Sequence, residues 1–373
     1  MMKKKKMILS ISMVLLLVLL TGCKKDNQSG EDITVTPTIT PPQPTVTQPA
    51  ENPSEEENNL TIKDYYPIQV DTEYVYAGEG NEYASYHRYT DFVDTTNNKF
   101  QTRTNNGGTE TVRVIEIKDG KISVVSIVNE CYYRDNIMEA EKAILKEPEV
   151  LLMEPLVEGT QWSTPDGNKR YISGTEVTVE TPLGDFKAIE VTTESKDSTT
   201  KYYYAPQVGL VKELFQSNEM EVSSTLSEIN TDTPFIQTID VFYPDADEKI
   251  YVETVNLTFH TGDETRVILQ EVLSKKGSKD SYLQLASAKT LINSLYLGDD
   301  NIVYVDFSNE FVQDMNLGAG YELSVLQGVT NTLGNYYGTQ KVQITLDGKP
   351  YESGHVIMKA GESFEVNLED VVR

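Results

Sequence analysis

The chain of 373 residues is 38% hydrophobic and sets 58 acidic against 32 basic residues, a formal charge of −26. That length and apolar content suffice for two or three domains, and the charge excludes attraction to nucleic acid or anionic lipid heads. Twenty-two tyrosines against ten phenylalanines, with plentiful Val, Thr and Ile, favour strands over helices.

Lys3 to Lys6 open the chain with positive charge, and Met7 to Leu20 follow as an apolar run of 14 residues. Such a run is short for a bilayer span but right for the core of an export signal. It ends in Leu20-Thr21-Gly22-Cys23, which resembles the cleavage box of bacterial lipoproteins. The resemblance implies that residues 1–22 are a signal peptide, that Cys23 is acylated (palmitate being typical), and that the mature chain sits on the extracytoplasmic face of the cell membrane. Each buried CH₂ of the acyl chains contributes ~0.8 kcal/mol to anchoring. With Cys23 acylated, Cys131 has no partner for an intrachain disulfide and reads as a buried apolar residue rather than a nucleophile.

Residues 23–60 read as the lipidated cysteine and a disordered Pro/Thr-rich linker. Thr34 to Pro44 has no apolar period, and Glu55 to Asn59 adds charge and amide, so burial cannot offset the entropy of ordering. Its prolines favour extended conformers that reach on the order of 100 Å from the lipid.

Residues 61–230 read as a β-rich extracytoplasmic domain. Val112 to Ile117 and Ile122 to Val128 alternate about a turn at Lys118-Asp119-Gly120-Lys121, a hairpin signal. Thr175 to Glu180 and Phe186 to Thr192 flank Pro182 to Asp185, and Tyr202 to Ala205 leads into Val208 to Val211. Asp135 to Lys146 is the one stretch with helical spacing, through Ile137, Met138, Ile144 and Leu145. Pro67 to Tyr74 and Pro155 to Trp162 share the pattern P-[IL]-x-x-[DG]-T-x-[YW], read as two similar strand starts in one sheet rather than a duplication. The segment is similar in character to the β-rich bodies of other envelope lipoproteins, some of them half-barrels that hold lipid, although no motif in it is specific to them.

Thr231 to Pro234 marks a boundary, and residues 231–373 change pattern. Ile236 to Tyr243 and Ile250 to Phe259 read as strands; Thr261-Gly262-Asp263-Glu264 reads as a capping box before a helix through Val267, Ile268, Val272 and Leu273. Strands at Leu291 to Leu297 and Ile302 to Phe307 meet across Gly298 to Asn301. A second helix spans about Gly320 to Tyr337, and Lys341 to Leu346 is a strong strand ended by Asp347-Gly348. Strands alternating with two helices predict a compact α/β sandwich. The fold class of the whole is α+β: signal, tether, β-rich domain and C-terminal α/β domain.

Three motifs in this last region occur in order. They are Val305-Asp306-Phe307-Ser308-Asn309-Glu310-Phe311, Thr330-Asn331-Thr332-Leu333 on a helix, and Val342-Gln343-Ile344-Thr345-Leu346-Asp347-Gly348. They resemble the GerM-type domain, GerMN, of sporulation and spore-germination lipoproteins, over roughly Thr238 to Val356. The resemblance implies a domain for interaction and assembly, akin to ring-building modules of envelope channels. Members often carry two such domains, and one is visible here. Asp306, Ser308, Glu310, Phe311, Thr332, Asp347 and Gly348 carry the likeness. All are explained as strand, turn and helix residues, so none is expected to be catalytic.

Little else points to chemistry. Ser198-Thr199-Thr200-Lys201 matches S-x-x-K but precedes a Tyr-rich strand, with no S-D-N or K-T-G partner. His87, His260 and His355 share no ligand spacing, and Asp245, Asp247 and Glu248 lack a calcium-loop pattern. The clusters Tyr65-Tyr66, Tyr83-Tyr86-Tyr89, Tyr132-Tyr133 and Tyr202 to Tyr204 read as sheet packing, with stacking on glycan rings as the alternative. No catalytic residue, metal or cofactor is expected. The partners expected are the membrane, through lipid on Cys23, and envelope or cell-wall-associated proteins; a homo-oligomer is compatible with this, nucleic acid is not. The reading is a non-enzymatic, membrane-anchored envelope protein acting in interaction or assembly, with sporulation or germination as its setting. The alternatives are a carrier for lipid or another apolar ligand, and a cell-wall hydrolase.

Overall fold

The computed structural model describes residues 60–140, 143–315, 317–369 and 371–373. The signal peptide, the box Leu20-Thr21-Gly22-Cys23 and the linker lie outside the described residues.

A single 3-10 turn, Ile62–Tyr65, precedes twelve strands. These are β1 (Glu73–Glu79), β2 (Tyr86–Asp94), β3 (Lys99–Asn105), β4 (Glu110–Lys118), β5 (Lys121–Asn129), β6 (Ile144–Met153), β7 (Gln161–Ser163), β8 (Lys169–Thr181), β9 (Gly184–Glu194), β10 (Ser198–Ala205), β11 (Gly209–Ser217) and β12 (Glu221–Asn230). They form one antiparallel sheet in the order β6-β5-β4-β3-β2-β1-β12-β11-β10-β9-β8-β7. Adding six to a strand number maps one half of this order onto the other. The two P-[IL]-x-x-[DG]-T-x-[YW] segments stand at the same place in each half, delivering Tyr74 to β1 and Trp162 to β7.

The sheet curls until its two ends meet. Ile62, Tyr65 and Tyr66 pack with Ile122 and Leu152 from one end and Ile172, Ile189 and Val191 from the other. β6 and β7 are not paired by backbone; Trp162 Nε1 donates to the Val150 carbonyl at 2.9 Å, and Arg170 Nη1 to the same oxygen at 2.8 Å. The expected alternation is visible in β4, where Thr111, Arg113, Ile115 and Ile117 share the concave face. On its other face Val112 and Val114 pack with Phe92, Cys131, Ile137 and Met138. Two covered faces explain why these strands are richer in buried apolar residues than a one-sided sheet.

The helix expected over Asp135 to Lys146 does not form. Gln101 of β3 takes over the backbone there: its Nε2 donates to the Asp135 carbonyl at 2.9 Å and its Oε1 accepts from Ile137 N–H at 2.9 Å. Ile137 and Met138 are buried as an irregular crossing, and Ile144 already belongs to β6. The apolar spacing reports burial, but tertiary hydrogen bonds replace the helical ladder.

Residues 231–234 connect β12 to β13 (Phe235–Pro244), which pairs with β14 (Ile250–Phe259). Next come α1 (Thr265–Ser274), β15 (Ile292–Leu297), β16 (Val303–Phe307), a short α2 (Glu310–Gln313), α3 (Ala319–Tyr337), β17 (Lys341–Leu346), β18 (Lys349–Pro350), β19 (Phe364–Glu365) and β20 (Val371–Val372). One sheet is β13-β14-β20 and the other β15-β16-β17-β18, with β19 also on β17. One core joins both sheets to the helices through residues such as Val241, Leu269, Val303, Phe307, Val329 and Leu346. The described residues are mostly β, with few helices. α3 contains Gly328 because a Cβ there would meet the Phe242 carbonyl at 2.5 Å; helix and strand backbones touch. The expected capping box does not form either: Glu264 is the N-cap and gives no side-chain bond. Thr261 Oγ1 instead donates to the Thr90 carbonyl at 2.9 Å, tying this loop to β2.

That tie is one of many between the large sheet and the C-terminal elements. Arg134 N–H donates to Tyr336 Oη at 3.0 Å, and its guanidinium bonds the carbonyls of Asp91, His260 and Asp263. Tyr337 Oη donates to Asp135 Oδ1 at 3.0 Å, and Gln237 Nε2 to the Tyr132 carbonyl at 2.6 Å. The described residues from 60 onward pack as one compact unit.

Candidate functional site

The motif residues gather where β16 and β17 end side by side as parallel neighbours. Asp306 Oδ1 accepts from Thr345 Oγ1 at 2.6 Å and from Gly348 N–H at 2.7 Å, while Oδ2 accepts from Asn293 Nδ2 at 2.9 Å. Asp347 accepts from the same Asn293 nitrogen at 3.2 Å and from Asn309 Nδ2. Asp347 and Gly348 adopt φ +46° and +75°, the tight turn their sequence suggests. Burial raises the Asp306 pKa, but the bonds from Thr345, Gly348 and Asn293 outweigh it and hold the carboxylate below its usual range.

Ser308 trades bonds with Leu291: Ser308 N–H donates to the Leu291 carbonyl at 2.9 Å, and Ser308 Oγ accepts from Leu291 N–H at 3.1 Å. A hydrogen bond from Ser308 lowers the pKa of exposed Glu310. Phe311 stacks on Phe307 with centroids 4.4 Å apart and is fully buried. Thr332 stands apart from this group, deep under α3. Its Oγ1 donates to the Gly328 carbonyl at 2.8 Å and accepts from Phe242 N–H at 3.0 Å. Thr330, two residues earlier on the same helix, is buried with no partner for its hydroxyl. Asn293 and Asn309 were missed by sequence reasoning; their signal is that two aspartates on adjoining turns need donors between them.

Beside this cluster runs an open edge. β15 pairs with β16 only; at Ile292 its other side is covered by α1, where Gln270 Oε1 accepts from Ile292 N–H at 2.8 Å and Arg266 Nη1 donates to its carbonyl at 3.1 Å, and from Ser294 to Tyr296 it has no strand partner. A groove of about 460 Å³ follows that side, between Asn293 to Tyr296 on one wall and Asp135, Glu264 and Arg266 on the other. Tyr296 in the groove is 50% exposed, and Leu291, just before β15, is 52% exposed. Ion pairing of Arg266 with Glu264 at 2.6 Å satisfies the one cation of the groove.

A second recess lies inside the curled sheet, a cavity of about 300 Å³ above the floor made by Tyr66, Ile115 and Tyr204. Tyr83, Tyr86 and Tyr202 complete its aromatic lining, so tyrosines from three of the four sequence clusters meet there. Arg88, Arg113, Glu149 and Glu213 also face it, with Thr and Asn side chains between. Burial raises the Glu213 pKa, against the opposing pull of Arg113 and Arg170. An acyl-chain carrier asks for an apolar groove, and this one carries guanidinium and carboxylate groups instead.

The remaining candidates are spent on structure. Cys131 is buried and its thiol is pushed up to about 11 by burial, far from thiolate reactivity. Ser198 and Lys201 lie on β10, where Lys201 pairs with Glu190 at 3.1 Å. His87 pairs with Glu73 and His260 with Asp71, and Asp245 Oδ1 accepts from the backbone of Asp247 and Lys249. Among the described residues no cluster of His, Cys, Asp or Glu is arranged to hold a metal, and no helix is long and apolar enough to cross a membrane.

Residues 240–352 match a family described as Germane, sporulation and spore germination. Among solved structures, the chain is similar to the tandem GerMN domains of the sporulation protein GerM from Bacillus subtilis. Identity is 21% over 35% of this chain and 46% of that one, with a TM-score of 0.26. The first GerMN domain of the same protein matches at 20% identity over 36% of this chain and 98% of its own, TM-score 0.27. A proposed lipoprotein of Parabacteroides distasonis matches at 14% identity over 44% of this chain and 98% of its own, TM-score 0.28. The match spans less than half of the tandem-domain chain. None of the curated proteins matches.

Proposed function

We propose, for a chain that carries a Germane domain of the sporulation and spore germination family at residues 240–352, that it is a non-enzymatic lipoprotein of the cell envelope. Lipid on Cys23 holds it to the extracytoplasmic face of the membrane, residues 23–60 act as the spacer, and the Germane domain docks onto another envelope protein. The domains run over residues 61–230 and 231–373. The observation that carries the docking role is the outward side of β15 with its groove and the half-exposed Leu291 and Tyr296. An open strand edge offers backbone hydrogen bonds to a partner, and flanking apolar side chains supply the contact area. The motif residues Asp306, Ser308, Asp347 and Gly348 support that edge by fixing the turns behind it rather than by touching the partner.

Crosslinking in the cell, with mass spectrometry of the captured species, tests the docking role. Defined envelope proteins held through β15, and lost in Tyr296→Asp, are the expected result; unchanged capture in that variant sinks the assignment. Incorporation of an alkynyl palmitate that disappears in Cys23→Ser tests the anchor separately.

A further inference from the structure

We infer that the cavity inside the curled sheet binds a carboxylated sugar, with Arg88 and Arg113 receiving the carboxylate and the tyrosines receiving the ring. The argument starts from the arginines. Five of the seven in the chain lie between 88 and 170, and all five point into the large sheet or its junction. Arg103 is paired with Asp91 and Glu110, Arg134 with Asp91, and Arg170 with Glu149. Arg88 and Arg113 form no ion pair among the described residues, and these are the two that face the cavity. Glu213 exerts a longer-range pull on Arg113 without a direct ion pair, and Arg88 lies among tyrosine rings, so both guanidinium groups keep donors that an arriving anion would use.

Arg88 is held ready for such a group. Its guanidinium lies 4.4 Å from the centre of the Tyr74 ring and 5.6 Å from that of Tyr66, and Nη1 donates weakly to Tyr66 Oη at 3.4 Å. Aromatic faces offset part of the cost of burying a cation while leaving most of its donors unused. Arg113 comes from the neighbouring concave face of β4, opposite Glu213 on β11.

The rest of the lining says what the anion is attached to. A sugar ring offers C–H faces to aromatic rings and hydroxyls to polar edges. Here tyrosines stand with Thr102, Thr104, Asn106 and Thr109 around a volume suited to one substituted ring. Tyr83 is 53% exposed and sits against Gly108, where a Cβ would lie 2.6 Å from the Tyr83 ring. An exposed aromatic there is a stacking platform. Glu149 and Glu213 serve the hydroxyl side, and they disfavour a multiply charged anion such as phosphate. Choosing a wall sugar rests on the extracytoplasmic placement proposed above and on nothing else in that reading, and the palmitate labelling tests that placement independently.

The experiment is titration calorimetry of the full chain in detergent with N-acetylmuramic acid, with N-acetylglucosamine, which is the same ring without the lactyl carboxylate, and with inorganic phosphate. The carboxylated sugar is expected to bind at least about tenfold more tightly than the neutral one and to outcompete phosphate, a difference of one charge-assisted contact. Arg113→Gln should remove that preference, Arg113→Lys should restore part of it, and Gly108→Val, by displacing Tyr83, should weaken both sugars alike. Equal affinity for the two sugars, tighter binding of phosphate, no binding of either sugar, or full preference in an Arg113→Gln chain with unchanged melting would each overturn the assignment. Release of sugar from wall fragments, abolished by Glu213→Gln, would overturn binding without turnover.

Discussion

Arg170 on β8 reaches Glu149 on β6 at 3.0 Å, joining the two ends of a twelve-stranded sheet through side chains rather than backbone. The same guanidinium donates to the Val150 carbonyl and to Thr193 Oγ1, so this arginine, with Trp162, closes a seam that no strand pairing closes. Arg170→Ala should therefore cost about 2–4 kcal/mol, because it removes three bonds across the seam at once and leaves a void where the guanidinium was, although Trp162 still serves the Val150 carbonyl. Glu149→Gln should cost about 1 kcal/mol or less, since its carboxylate is 39% exposed and screened by water. Denaturant midpoints of the two variants compare them directly; equal losses would mean the ion pair, not the carbonyl bond, closes the seam.

The junction between the large sheet and the C-terminal elements titrates near neutrality. Burial pushes Asp135 up to about 7, against the pull of the Tyr337 hydroxyl, Arg103 and Arg134. A carboxyl with a folded pKa above its unfolded value binds its proton more readily in the native state. Stability from this group is then fully present below the unfolded pKa and declines as pH rises through the folded one. Asp135→Asn keeps an acceptor for Tyr337 and removes the charge. Its melting temperature should match that of the parent near pH 4, begin to exceed it above pH 5, and exceed it by a few degrees at pH 8. A constant difference at all these pH values would exclude titration of Asp135 as the cause.

Asp306 has the opposite sign. Its carboxylate is held below its usual range, so its contribution is present at neutral pH and is lost on acidification. Asp306→Ala deprives Thr345, Gly348 and Asn293 of their acceptor and should destabilise the fold by about 1–3 kcal/mol. Partner capture measured well below the unfolding transition should survive. Lost capture with an unchanged denaturant midpoint would make Asp306 a contact residue instead.

Gly328 inside α3 and Gly318, the N-cap just before it, separate two uses of glycine. A Cβ at 328 would meet the Phe242 carbonyl at 2.5 Å, and backbone cannot give way cheaply. At 318 nothing lies within 4 Å. Gly328→Ala should cost about 2 kcal/mol or more, whereas Gly318→Ala should cost about 1 kcal/mol or less, the preference of an N-cap for glycine over alanine. Thermal melting of the pair checks this, and similar losses in both would refute close packing as the reason for Gly328.

Strands with clear alternation and a turn between them were legible: Val112 to Val128 folds as the hairpin its pattern describes, and Lys341 to Leu346 is β17 with those very ends. The helix over Gly320 to Tyr337 was legible for the same reason, since an amphipathic stripe needs only local spacing. Asp135 to Lys146 misled, because Gln101, distant in sequence, supplies the bonds that a helix would have made itself. Thr261 misled likewise: a capping side chain found a better partner on β2.

The family motifs were readable from the chain alone, as was the acidic, strand-rich character, because these depend on residue type and spacing within one segment. The tyrosine clusters were visible as well, but their meeting in one cavity was not, since Tyr66, Tyr83 and Tyr202 come together only when the sheet curls. The two cavity arginines, the side-chain seam and the junction through Arg134 depend on residues tens to hundreds of positions apart. Contacts of that kind are decided by which surfaces the folded chain buries against one another, and no local pattern records that.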